Sequence, residues 1–153
     1  MQHKKNVWSN LAVAALLAVA MIPATTLAAD EMGMHHAQTG KMKVIFQMSD
    51  ADPKKWALLL NNAKNVQDEV GKDNSMLEIV AYGPGIAMLK FESEVGARVK
   101  AAVESGIKVV ACENTMKTQK ITKDDMLPEI GYVKAGVVEL ARKQEEGYSY
   151  IRP

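Results

Sequence analysis

Three apolar, β-rich runs separated by stretches of helical periodicity dominate this sequence, and that alternation commits the chain to an α/β architecture. Met42 to Met48 (MKVIFQM) has an apolar centre, as expected of a strand covered on both faces. Met76 to Tyr82 (MLEIVAY) and Ile107 to Ala111 (IKVVA) repeat the pattern. Between the first two, Trp56, Leu59, Leu60, Ala63, Val66 and Val70 fall on one face of a helix. Asp52 is its N-cap, Pro53 its first residue and Gly71 its C-cap. Ser93 is expected to cap the next helix, with Val95, Val99, Ala102 and Val103 on one face and Gly106 at its end.

Shorter elements follow less regular signals. Ile86 to Lys90 makes a single turn of helix, and Asn114 to Gln119 a short helix or turn. Thr122 and Asp125 have capping-box spacing before another short helix that ends near Pro128. An extended piece, Ile130 to Val133, precedes a last helix from Gly136 to Glu146, which Gly147 stops. Tyr148 to Arg152 (YSYIR) alternates like a partly exposed final strand. The order predicts a single-domain, largely parallel five-stranded sheet with helices on both faces and right-handed crossovers. The order of strands within the sheet does not follow from the pattern.

The N-terminus is built differently. Lys4 and Lys5 precede a twelve-residue apolar core, Leu11 to Ile22, which Pro23 breaks, and Thr26-Leu27-Ala28 offers a cleavage site. Twelve residues make about 18 Å of helix, too short for a hydrocarbon core of about 30 Å. Residues 1–28 are therefore expected to be a signal peptide cleaved near Ala28, residues 29–40 a flexible arm, and residues 41–153 the folded domain. This predicts a periplasmic protein with no membrane span after cleavage. Without Lys4 and Lys5, the 19 basic residues become 17 against 18 acidic ones. A surface so nearly neutral argues against a nucleic-acid partner, which needs a basic face.

Cys112 is the one cysteine of the chain, so in an oxidising compartment it has no partner within it. It ends the third strand, and ligands of open parallel sheets bind at the strands' carboxyl ends. Ser49-Asp50 and Tyr82-Gly83 end the first two strands in the same way. A helix over 114–120 would place the thiol just before its N-terminus, where backbone N–H groups favour the thiolate. Lys117 and Lys120 would add positive potential; Glu113 opposes it unless it points away. A cysteine ending an apolar strand is equally at home as an inert core group. Both readings stand on the residues alone.

Other candidates carry less. Met32, Met34, His35 and His36 are weak candidates for a metal, since thioether and imidazole suit copper but a loose arm lacks fixed geometry. Ser49-Asp50-Ala51-Asp52 carries two carboxylates where a flavin phosphate loop needs clustered hydroxyls or glycines. Gly83-Pro84-Gly85 is better read as a turn. No histidine follows Gly40, which excludes a Ser-His-Asp arrangement in the domain. Asp124-Asp125 suits a helix N-terminal turn. Trp56 and the ten methionines are expected to pack, and Tyr148 and Tyr150 mark a candidate edge for subunit contact.

Four stretches together resemble the DsrE/DsrF-like family of sulfur-relay proteins. They are VIFQMSDADPKKWALLLNNAKN (44–65), IVAYGPG (79–85), VVACENTM (109–116) and AGVVELARKQEEGYSYIRP (135–153). The resemblance covers residues 41–153 and implies a small α/β domain assembled as a homo-oligomer, a trimer or hexamer. It implies that Cys112 carries a persulfide between donor and acceptor proteins that the sequence does not name. Asn114 and Thr115 belong to the same motif and shape its loop. Ser49, Asp50, Asn61, Asn62 and Tyr82 match the family pattern without a chemical role. The expectation is a periplasmic sulfur-carrier or thiol-relay protein, a possible sulfurtransferase that needs no cofactor. The alternatives are an oligomeric binding or assembly module with a buried Cys112, and a copper-handling accessory protein using the Met/His arm.

Overall fold

The computed structural model describes residues 40–153. The expected signal peptide (1–28), the expected arm (29–40) except Gly40, and the metal candidates Met32, Met34, His35 and His36 lie outside them. Among the described residues the chain runs β1 (Met42–Met48), α1 (Pro53–Val70), β2 (Ser75–Ala81), α2 (Gly96–Glu104), β3 (Lys108–Cys112), α3 (Glu113–Gln119), β4 (Gly131–Val133), α4 (Gly136–Glu145) and β5 (Ser149–Ile151). The five strands form one sheet in the order β4-β3-β2-β1-β5, and every pairing is parallel.

That order dictates where the helices go. From β1 to β4 each strand is laid beside the last in one direction, so right-handed crossovers stack α1, α2 and α3 on one face. After β4 the chain reverses direction to place β5 beside β1, and the same handedness carries α4 over the opposite face. Side chains alternate along the strands to serve both layers. Phe46, Met48, Ile79, Ala81, Val109 and Ala111 pack with Trp56, Leu59, Leu60, Ala63 and Val99 on the first face. Ile45, Val80 and Val110 pack under Leu140 of α4 on the second.

Local signals hold where they are self-contained. Asp52 caps α1 by accepting the Lys54 N–H at 2.9 Å, with Pro53 as its first residue. Trp56, Leu59, Leu60 and Ala63 of the expected face are buried, and the Trp56 indole N–H donates to the Asp50 carbonyl at 2.7 Å. Thr122 and Asp125 form the capping box. Gly106 and Gly147 both take positive φ where helices were expected to stop.

One signal fails. Ser93 does not cap α2, which begins at Gly96 with Val95 as N-cap and no side-chain cap. The chain first makes two tight turns, Ser93 N–H to Lys90 O and Gly96 N–H to Ser93 O. These leave the Ser93 hydroxyl buried without a hydrogen-bond partner. Residues 83–89 form a 3₁₀ segment rather than a turn of α-helix. Gly85 within it presses on the end of β1, where an added Cβ would lie 2.5 Å from the Met48 carbonyl oxygen.

That contact allows no side chain, because the obstacle is backbone. Gly85→Ala is expected to lower the unfolding free energy by about 3 kcal/mol, as over-packing against a fixed neighbour does. Urea unfolding measures it, and a loss below about 0.5 kcal/mol would mean that the 3₁₀ segment can lift away from β1.

Candidate functional site

β3 and β4 are neighbours whose chains leave the sheet toward opposite faces, β3 into α3 and β4 into α4. In an open parallel sheet such a divergence opens a crevice at the carboxyl ends of the two strands, the usual place for a ligand. Cys112 is the last residue of β3, the N-cap residue of α3, and the register partner of Val133 on β4. Its side chain points toward the α4 layer and is 5% exposed.

The sulfur is surrounded by donors. Gly136, the first residue of α4, donates its N–H to Cys112 Sγ at 3.2 Å. A Cβ at Gly136 would stand 3.2 Å from Tyr82 Cβ and Val80 Cγ1, so those side chains would have to give by a few tenths of an ångström. Thr115 Oγ1 accepts the Gly83 N–H at 2.9 Å, which leaves the hydroxyl proton free for the sulfur. The Asn114 N–H binds the Lys134 carbonyl at 3.1 Å and also faces the thiol.

These contacts act in opposite senses on the thiol. Burial pushes its pKa up, while the Thr115 hydroxyl and the N–H groups of Gly136, Thr115 and Asn114 favour the thiolate and bring it below the ordinary cysteine value. Cys112 thus lies where the first turns of α3 and α4 both present backbone donors to one atom.

Asn114 and Thr115, which the family resemblance gave only as shaping the loop, both face the thiol, and Glu113 is exposed. The lysines are different. Lys117 lies in the last turn of α3 and Lys120 is its C-cap, so both stand at the far end of that helix from the sulfur. Hydrogen bonds, not these cations, lower the thiol pKa.

The remaining pattern residues are structural ties. Asp50 binds Lys55 at 2.9 Å and Arg152 at 3.4 Å, and the Lys55 hydrogen bond holds its carboxyl below the usual range. Ser49 Oγ accepts from Gln47 at 3.1 Å, and Asn61 Oδ1 accepts from Arg98 at 2.7 Å, joining α1 to α2. Asn62 is half-buried on α1. Tyr82 packs its ring on Gly136, so it borders the crevice without binding the sulfur.

Two contributors went unnoticed in the sequence. Gly136 reads in the sequence as a helix start, and its approach to Cys112 is set only by the packing of α4 on the sheet. Gly83 was read as a turn, and nothing local shows that its N–H would orient Thr115. Among the described residues no group of three or more His, Cys, Asp or Glu could hold a metal ion, and no helix is long and apolar enough to cross a membrane.

The sequence model of the DsrE/DsrF-like family matches residues 42–153. Among solved structures, MTH1491 from Methanobacterium thermoautotrophicum, described as a protein of unknown function, is 31% identical with a TM-score of 0.70; the match covers 74% of this chain and 100% of that one. BT1422 from Bacteroides thetaiotaomicron, also described as of unknown function, is 14% identical with a TM-score of 0.60 over 72% of this chain and 94% of its own. The ychN protein from E. coli is 13% identical with a TM-score of 0.59, over 73% of this chain and 99% of its own. The last two share the fold. No curated protein matches the sequence.

The donors around Cys112 set two expectations. Thr115→Val keeps the shape and removes the hydroxyl, so alkylation of folded Cys112 at pH 7 is expected to slow about fivefold, a lost bond to a charge costing roughly 1 kcal/mol or more. An unchanged pH–rate profile would remove Thr115 from the site. The second concerns stability. Because the folded thiol titrates below the unfolded one, the thiolate stabilises the fold fully above the unfolded value of about 8.5. That contribution is lost as the pH falls through the folded value. Comparing urea midpoints of the wild type and Cys112→Ser between pH 6 and 10 should show this rise in the wild type alone.

Proposed function

The chain belongs to the DsrE/DsrF-like family, and on that premise we propose that it is an exported sulfur carrier that holds a persulfide on Cys112 and passes it to a partner thiol. The observation that carries this reading is the Gly136 N–H on the sulfur at 3.2 Å, from a helix that the fold brings over the opposite face of the sheet. A core cysteine has no use for converging N–H donors; a thiolate has.

In the first step the Cys112 thiolate attacks the outer sulfur of a donor persulfide, R–S–SH. A new S–S bond forms on Cys112, the donor's S–S bond breaks, and the donor leaves as RS⁻. In the second step an acceptor thiolate attacks the outer sulfur of Cys112–S–SH. The sulfur moves to the acceptor and Cys112 leaves as its thiolate. Charge and protons balance in each step, with no external oxidant or reductant. The same sulfur anion is nucleophile in the first step and leaving group in the second, so the donors around it serve both. Export, with a signal at residues 1–28, and assembly into a trimer or hexamer complete the proposal. The sequence of the N-terminus supports the first and the family resemblance the second.

One observation favours a second reading. Cys112 is 5% exposed, which suits an oligomeric binding or assembly module whose thiol is only packed. Incubating the folded mature protein with polysulfide separates the two. The carrier is expected to gain about 32 Da, one sulfur atom, on Cys112, to lose it to an added thiol, and to show neither in Cys112→Ser. A protein that acquires no adduct unless unfolded is a binding module.

A further inference from the structure

Among the described residues, two charged side chains are buried, and they face each other on the second face of the sheet. Glu78 of β2 is 2% exposed and Glu139 of α4 is 4% exposed. Lys108, level with Glu78 on the neighbouring strand, reaches both carboxylates: Nζ is 3.1 Å from Glu78 Oε1 and 3.6 Å from Glu139 Oε1. Arg142, one turn further along α4, binds Glu139 Oε2. The other charges on this side are held among themselves, with Lys143 on the Glu146 carboxylate and Lys43 of β1 on the Glu146 carbonyl.

Glu139 Oε1 makes no hydrogen bond, and its ion-pair partner is Lys108 at 3.6 Å. Burial pushes the Glu78 carboxyl up despite Lys108, while Glu139, itself pushed up by burial, is brought down by Arg142, Glu78 and Lys108. Lys108 thus lies between the two carboxylates and joins Glu78 of β2 to Glu139 in the first turn of α4.

That turn also carries the Cys112 donor. The Glu139 N–H closes it on the Ala135 carbonyl at 3.1 Å, and Gly136 stands three residues before Glu139, about 4.5 Å along the axis. The helix is rigid over that span. We propose that the Glu78–Glu139 pair, clamped by Lys108, pins the start of α4 to the sheet and so holds the Gly136 N–H on Cys112 Sγ. Glu139 is thereby a positioning residue for the thiol. The inference rests on Cys112 being the working group, and it specifies how its reactivity is set.

The test exploits a difference in sign. Removing the Glu139 charge acts through space to lower the thiol pKa, whereas losing the tether moves the Gly136 donor away and raises it. Glu139→Leu keeps the site filled but cannot join Glu78, and Glu139→Gln keeps a donor and an acceptor. The pH–rate profile of Cys112 alkylation is measured in folded protein, with far-UV circular dichroism as the control for folding. Glu139→Leu is expected to shift the profile to higher pH and slow alkylation at pH 7 at least threefold, with Glu139→Gln close to wild type. Should Glu139→Leu fail to fold, Glu78→Leu makes the same measurement from the strand side. A profile unmoved, or moved to lower pH, overturns the tether even where polysulfide still loads Cys112. A profile raised in a protein that takes up no sulfur upholds the tether and overturns the carrier.

Discussion

The carboxyl end of the sheet depends on the point where β3 and β4 send the chain to opposite faces. That divergence follows from strand order and crossover handedness, since the chain lays four strands in one direction and then returns to place β5 beside β1. Its consequence is local. The first turns of α3 and α4 meet over a single atom, Cys112 Sγ, which neither helix alone would surround. A Cβ added at Gly136 would crowd Tyr82 and Val80, which shows how closely α4 approaches β2 here.

The energetics of the site are a contest between burial and hydrogen bonding. Burial protects a thiol from indiscriminate oxidation and also disfavours its ionised form. Here the donors outweigh burial, and the thiol pKa lies below its ordinary value. A lowered thiol pKa makes the sulfur anion easier to form and a better leaving group, both of which a persulfide carrier would use. The buried Glu78–Glu139 pair applies the same physics at one remove, since desolvated carboxylates need the cations of Lys108 and Arg142 beside them. Satisfying them fixes where α4 begins.

How much of this is legible in the sequence follows from how local each cause is. The Asp52-Pro53 start and the face from Trp56 to Ala63 are short-range signals, and the structure keeps them. The three apolar runs became β1, β2 and β3 within a residue at either end. Ser93 failed because two tight turns intervene before α2, a geometry that residue type does not encode. Lys117 and Lys120 had the expected sign and the wrong place, since a helix starting at Glu113 carries them away from the sulfur. Thr115 was recognisable as part of a motif, whereas its orientation by Gly83 N–H is set across chain segments. Glu78 sits in the apolar run MLEIVAY and gave no sign of a partner, because Glu139 meets it only once α4 has crossed the sheet. Strand order, and with it the crevice, is a non-local property.

The most direct measurement of the central claim is the pH dependence of Cys112 alkylation in the wild-type domain, folded and in denaturant. The folded thiol is expected to ionise below the unfolded one and to react without prior unfolding. A folded thiol that ionises at or above the unfolded value, or that reacts only as the domain opens, would contradict it and leave Cys112 as part of the core.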